Sequence, residues 1–135
     1  MTSARTAPDL DDLTRALGRA WGPDTCAPED RPQWTADNAA RGQCITTVLV
    51  VHDFFGGVLL RGEVVVGGEQ VDYHWWNRLA DGSDVDLTRG QFGPDEQVVG
   101  CEVIERPTGN HRVEAQYDLL RRRVLAELSV ADKTV

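Results

Sequence analysis

The stretch GQCITTVLVVHDFFGG, Gly42 to Gly57, decides the fold. Six of the twelve residues from Cys44 to Phe55 are β-branched, which favours a strand. Twelve residues is long for a buried strand and ordinary for a helix, and Gly56-Gly57 is a good helix stop. The run is also apolar nearly all round, as a central buried helix is. It therefore reads as a helix over 44–55 that opens on a cysteine.

On the N-terminal side, residues 9–21 read as an amphipathic helix. Leu10, Leu13, Leu17 and Trp21 recur at steps of three and four, Asp9 is placed to cap them, and Gly22-Pro23 ends the run. Residues 22–43 are polar and carry Pro23, Pro28 and Pro32, so they form a long connection of the kind that often holds function. Trp34 lies within it and either packs on the core or walls a pocket.

On the C-terminal side the period falls to two. Val58–Val66 reads as one strand, Val71–Leu79 as a second and Asp84–Thr88 as a third, with turns at Gly67-Gly68 and Asp81-Gly82. Val98–Glu105 reads as a fourth, broken by Pro107-Thr108-Gly109. Residues 111–128 form a last helix, with Val113, Tyr117, Leu120, Val124 and Leu128 on one stripe and Asn110 or Thr108 as cap. The expected fold class is α+β: a buried central helix packed on a small antiparallel sheet. At 135 residues, one domain spanning 1–135 with a core over about 9–128 is expected.

The formal charge of −8, from 22 acidic and 14 basic residues, argues against a nucleic-acid partner. The basic run Arg121-Arg122-Arg123 reads as a solvated helix face. Cys26, Cys44 and Cys101 are odd in number and show no CxxC spacing, so neither a disulfide framework nor a zinc ribbon is signalled. With no signal-peptide pattern and no apolar run of about 18 residues, a soluble cytoplasmic protein with no membrane partner is expected.

Free cysteine is usually buried and inert. Cys44 stands out by position, because unpaired N–H groups at a helix start favour a thiolate and can hold an oxyanion. A nucleophile needs a base. His52 lies about 12 Å down the same helix at 1.5 Å per residue, too far to serve. His111 begins the last helix. His74, in DYHWWNRL, is the best candidate, with Asp86 in DVDLT to orient it. A two-residue turn at Asp81-Gly82 would pair Asn77 with Asp86. That register leaves His74 roughly 10 Å further along at 3.4 Å per residue, on the opposite face.

The segments GQCITTVLVVHDFFGG, HWWNRLADGSDVDLTRGQF and RAWGPDTCAPEDRPQW resemble the YunG-like family of small bacterial proteins over about residues 19–128. More distantly the pattern is similar to papain-like cysteine enzymes of the NlpC/P60 and transglutaminase-like branches. That resemblance implies a papain-like fold with Cys44 as nucleophile, His74 as base and Asp86 as orienter. Gln43, Asn77, Trp34 and Trp76 are candidates for substrate and oxyanion support.

The expected activity is thiol-dependent acyl transfer or hydrolysis at an amide or ester, on a small-molecule or peptide substrate, with no cofactor or metal. A non-catalytic module binding a small molecule or peptide is the alternative. A metal site built from Cys44, His74 and Asp86 is a third. Oligomeric state is not legible.

Overall fold

The run from Cys44 folds as a helix whose residues 46–51 are buried all round. In the computed structural model, which describes residues 8–108 and 111–133, this helix, α2, spans Cys44–Phe55. The first helix, α1, covers Leu10–Ala20, and Asp9 caps it in a reciprocal box. Its carboxylate accepts from the Asp12 N–H at 2.8 Å, and its own N–H donates to Asp12 at 3.1 Å. Strands β1 (Val58–Val66), β2 (Glu69–Arg78), β3 (Asp84–Val85) and β4 (Gln97–Ile104) follow, and helix α3 (Glu114–Lys133) closes the chain. The helices and sheet make an α+β fold.

The sheet is antiparallel with strand order β3-β2-β1-β4. α2 lies between two apolar clusters. Val50 and Val51 pack with Leu13, Ala16 and Leu17 of α1 and with Leu120 and Val124 of α3. Cys44, Val48 and Leu49 pack on Leu59 and Trp75 of the sheet. Asn77 ties the two layers by donating its Nδ2 to the Val48 carbonyl at 3.0 Å.

Three expectations need correction. The third strand holds only Asp84–Val85, because the chain then turns away and forms a short 3-10 turn at Arg89–Gln91. The hairpin between β2 and β3 is not a two-residue turn. Leu79 to Ser83 form a five-residue loop, so Asn77 pairs with Val85 and Arg78 with Asp84. That shifts the register by one residue and moves Asp86 to the other face. The arginine run is not simply a solvated face. Arg123 forks onto Asp24 with two hydrogen bonds and donates to the Ala20 carbonyl, pinning α3 to the end of α1.

Helix α3 begins at Glu114, six residues past Thr108, so Thr108 does not cap it; Asn110 lies outside the described residues. Trp75 and Trp76 point to opposite faces, yet both are buried. Trp75 meets α2. Trp76 stacks against His74 and donates its Nε1 to Asp84. No helix among the described residues is long and apolar enough to cross a membrane.

Candidate functional site

Cys44 occupies the first position of α2, and Gln43 precedes it as N-cap without a side-chain capping bond. The entry turn depends on Gly42. Its φ of +71° is a left-handed conformation, and a Cβ there would stand 2.6 Å from the Asp30 Cβ. Gln43 is fully buried. Its Oε1 lies 2.9 Å from the Thr25 hydroxyl and its Nε2 donates to the Gly22 carbonyl at 2.9 Å. The Gln43 amide therefore ties the helix start to the 22–25 turn, with both ends engaged.

The Cys44 sulfur meets the sheet at an unusual place. β3 pairs with only the last two residues of β2, which leaves the outer edge of β2 without a strand partner over residues 69–76. Strand N–H groups lie in the plane of the sheet, and side chains stand above and below it. The Trp75 N–H, on that edge, and the N–H of Ile45 are the backbone groups that favour a thiolate on Cys44. Cys44 packs with Trp75, on the face of β2 opposite the one that carries His74. Burial pushes the thiol up to about 12. The two N–H groups oppose that rise, and the nearby charges of Asp72 and Asp30 add to it.

His74 is completely buried. The corrected hairpin register brings Asp86 to its ring, with Oδ2 2.7 Å from Nε2. A carboxylate only accepts, so Nε2 carries the proton and Nδ1 holds the lone pair. Nδ1 has no hydrogen-bond partner among the described residues. Arg89 approaches the same Asp86 oxygen at 3.3 Å. Trp76 stacks on the imidazole at 5.7 Å between centroids, and Phe92 meets it edge-on at 4.8 Å.

A cavity of about 190 Å³ opens in front of Cys44. Cys44, Gly42, Trp75, Gln91 and Phe92 form its inner wall, and charged groups ring it. Arg41 pairs with Glu96 at 3.1 Å and Arg112 with Glu29 at 2.6 Å. Arg61 pairs with Glu102 and lies over the Tyr73 ring. Burial raises the Asp30 carboxyl, Asp72 adds to the rise, and Arg41 works against it. Phe92 therefore has one side on the cavity and its other contact on His74, which is not itself a lining residue.

The structure brings His74 and Asp86 together and sets Cys44 against the residue that follows His74. Trp34 lies elsewhere: half-buried, it donates its Nε1 to the Ala39 carbonyl and lines neither this cavity nor the two core clusters. Asn77 serves the layer contact with α2, and Trp76 backs the imidazole. Sequence reasoning missed Gln91, Phe92, Asp30 and Asp72. Gln91 and Phe92 do follow directly on the DVDLT segment, as RGQF. Nothing in the local pattern marks Asp30 or Asp72 as neighbours of a residue at position 44. Among the described residues, no group of three or more His, Cys, Asp or Glu side chains is arranged to hold a metal ion.

Fold and site together define an α+β domain with a cysteine at the start of a buried helix and a histidine–aspartate pair on the adjoining sheet. The family model described as YunG protein matches residues 9–129, and the chain belongs to that family. No curated protein and no solved structure gives a significant match.

Proposed function

We propose that this chain is a papain-like cysteine enzyme that performs acyl transfer or hydrolysis at an amide or ester of a small molecule or peptide. The observation that carries the reading is the His74–Asp86 bond at 2.7 Å, with Nδ1 unpartnered among the described residues, on the residue before Trp75, against which Cys44 packs. Asp86 fixes the tautomer that leaves Nδ1 basic. The thiol is protonated at neutral pH, so His74 acts as a general base during attack rather than as half of a standing ion pair.

In the reaction, the sulfur attacks the substrate carbonyl carbon and its proton passes to His74 Nδ1. The carbonyl π pair moves to oxygen, where N–H groups at the start of α2 receive it. Collapse restores the carbonyl, expels the amine or alcohol and returns the proton to that leaving group, giving a thioester on Cys44. Water or an amine then attacks the thioester, loses a proton to His74 and frees the thiol. A cavity of about 190 Å³ corresponds to roughly six water volumes at about 30 Å³ each, enough for a side chain or chain terminus. The three unpaired thiols fit a reducing cytoplasm.

The raised thiol favours a second reading, a non-catalytic module that binds a small molecule or peptide in the same cavity. p-Nitrophenyl acetate separates the two. The enzyme forms an acetyl adduct on Cys44, seen by peptide mass spectrometry in a Cys101→Ser background. The adduct is lost in Cys44→Ala and forms about 10²-fold or more slowly in His74→Ala and Asp86→Asn. Acetylation that ignores His74, or never reaches Cys44, leaves the binding module.

A further inference from the structure

The Gln91 side chain is 5% exposed, and its two polar atoms have different fates. The Gly42 N–H, two residues before Cys44, donates to Oε1 at 3.0 Å. The Asn38 Nδ2 holds the Gln91 main-chain carbonyl at 2.9 Å. The Gly42 bond settles the amide's orientation, since a backbone N–H needs an acceptor, and the Asn38 bond holds the main chain that carries it. Among the described residues Nε2 is left buried with no partner, on a residue that forms the wall of the Cys44 cavity. A buried donor without a partner is costly, and a ligand acceptor removes the cost.

We infer that Gln91 Nε2 donates to the carbonyl oxygen of an acyl ligand at Cys44, and to the oxyanion that forms when the sulfur adds to it. This rests on the Cys44 reading proposed above. Among the described residues, Arg61 Nε is a second buried donor on this wall without a partner, and it belongs to a cation, whereas Gln91 Nε2 is neutral. Asp30, Asp72 and Glu96 accept but do not donate, and the guanidiniums of Arg41, Arg61 and Arg112 each hold a carboxylate. The ligand class is an acyl group whose oxygen accepts from this wall. Gln91 contributes the neutral donor there, alongside the N–H groups at the helix start.

The test uses ¹³C-labelled butyraldehyde and the full chain in a Cys101→Ser background. Addition of the Cys44 S–H across the aldehyde C=O gives a hemithioacetal, with the carbon–sulfur bond formed and the thiol proton ending on oxygen. Its resonance gives the dissociation constant. Iodoacetamide, which alkylates sulfur without forming an oxyanion, is the control reaction. Gln91→Glu keeps the acceptor for Gly42 and removes the donor. Gln91→Met removes both without adding charge, and supplies the comparison should the first variant fail to fold.

Gln91→Met binds the aldehyde about 10- to 100-fold more weakly with the iodoacetamide rate unchanged. In Gln91→Glu, whose added charge disfavours the thiolate, the aldehyde affinity falls about 10- to 100-fold further than the iodoacetamide rate does. Unaltered aldehyde affinity overturns the inference. An equal fall in both reactions also overturns it, because Gln91 then acts only through loop packing. Wild-type protein that forms no hemithioacetal on Cys44 removes the Cys44 reading itself, and this one with it.

Discussion

Alkylation of Cys44 tests the electrostatics of the site without any substrate. Burial pushes this thiol up to about 12, so at pH 8 about one chain in 10⁴ carries a thiolate. An unperturbed thiol with a pKa of about 8.5 is ionised in about a quarter of molecules at that pH. Only the thiolate reacts, so iodoacetamide labels Cys44 about 10³-fold more slowly than a free thiol before shielding is counted. The exposed Cys101 supplies a reference in the same chain. Quenched labelling between pH 7 and 11, read by peptide mass spectrometry, gives both rates. The Cys44 rate rises about tenfold per pH unit with no plateau in that window.

Stability follows the same linkage. Between about pH 9 and 12 the folded chain keeps the thiol proton and the unfolded chain loses it. Folding stability is therefore full below pH 9 and falls by about 1.4 kcal/mol per unit above it, roughly 4 kcal/mol by pH 12. Cys44→Ser lessens the alkaline slope in urea titrations by that amount, while Cys26 and Tyr117, also raised by burial, keep the rest. A labelling plateau below pH 9, or a Cys44 rate equal to that of Cys101, refutes the reasoning, because desolvation would then not control the sulfur.

Two further predictions concern the frame. Gly56 (φ +67°) has open space where a Cβ would go, whereas at Gly57 (φ +81°) that Cβ would stand 2.2 Å from the Arg78 carbonyl oxygen. Gly56→Ala costs about 1–3 kcal/mol of backbone strain, and Gly57→Ala costs clearly more because a backbone oxygen cannot swing aside; equal losses in urea denaturation contradict the close approach. The Arg123 guanidinium beside Asp24 holds its carboxyl below the ordinary carboxylate range. Its stabilisation is present above about pH 4 and fades as pH falls through the lowered value. In Arg123→Leu the Asp24 carboxyl titrates higher by NMR, and neutral-pH stability drops by no more than about 1 kcal/mol, since both side chains are partly exposed.

Much of the frame was legible because it depends on local pattern. The Asp9 cap, the limits of α2 and the run of β1 follow from spacing, caps and glycines. The hairpin was misread because Asp81-Gly82 is a strong two-residue turn signal, while Leu79 N–H instead reaches the Ser83 carbonyl at 2.9 Å and closes a longer loop. Arg123 misled for a different reason: its partner, Asp24, is 99 residues away and no local period points to it. At the site, residue identity singled out Cys44, His74 and Asp86. The cavity wall was hidden because Asp30, Asp72 and Gln91 arrive from three separated segments.

The pairing of Asp84–Val85 with Asn77–Arg78 carries a constraint on how this gene can drift. Side chains alternate along a ribbon, so register decides which surface Asp86 serves. A one-residue slip of Asp84–Val85 against Asn77–Arg78 would turn the carboxylate away from His74, so descendants of this chain are expected to keep that pairing while the identities of Asp81, Gly82 and Ser83 vary.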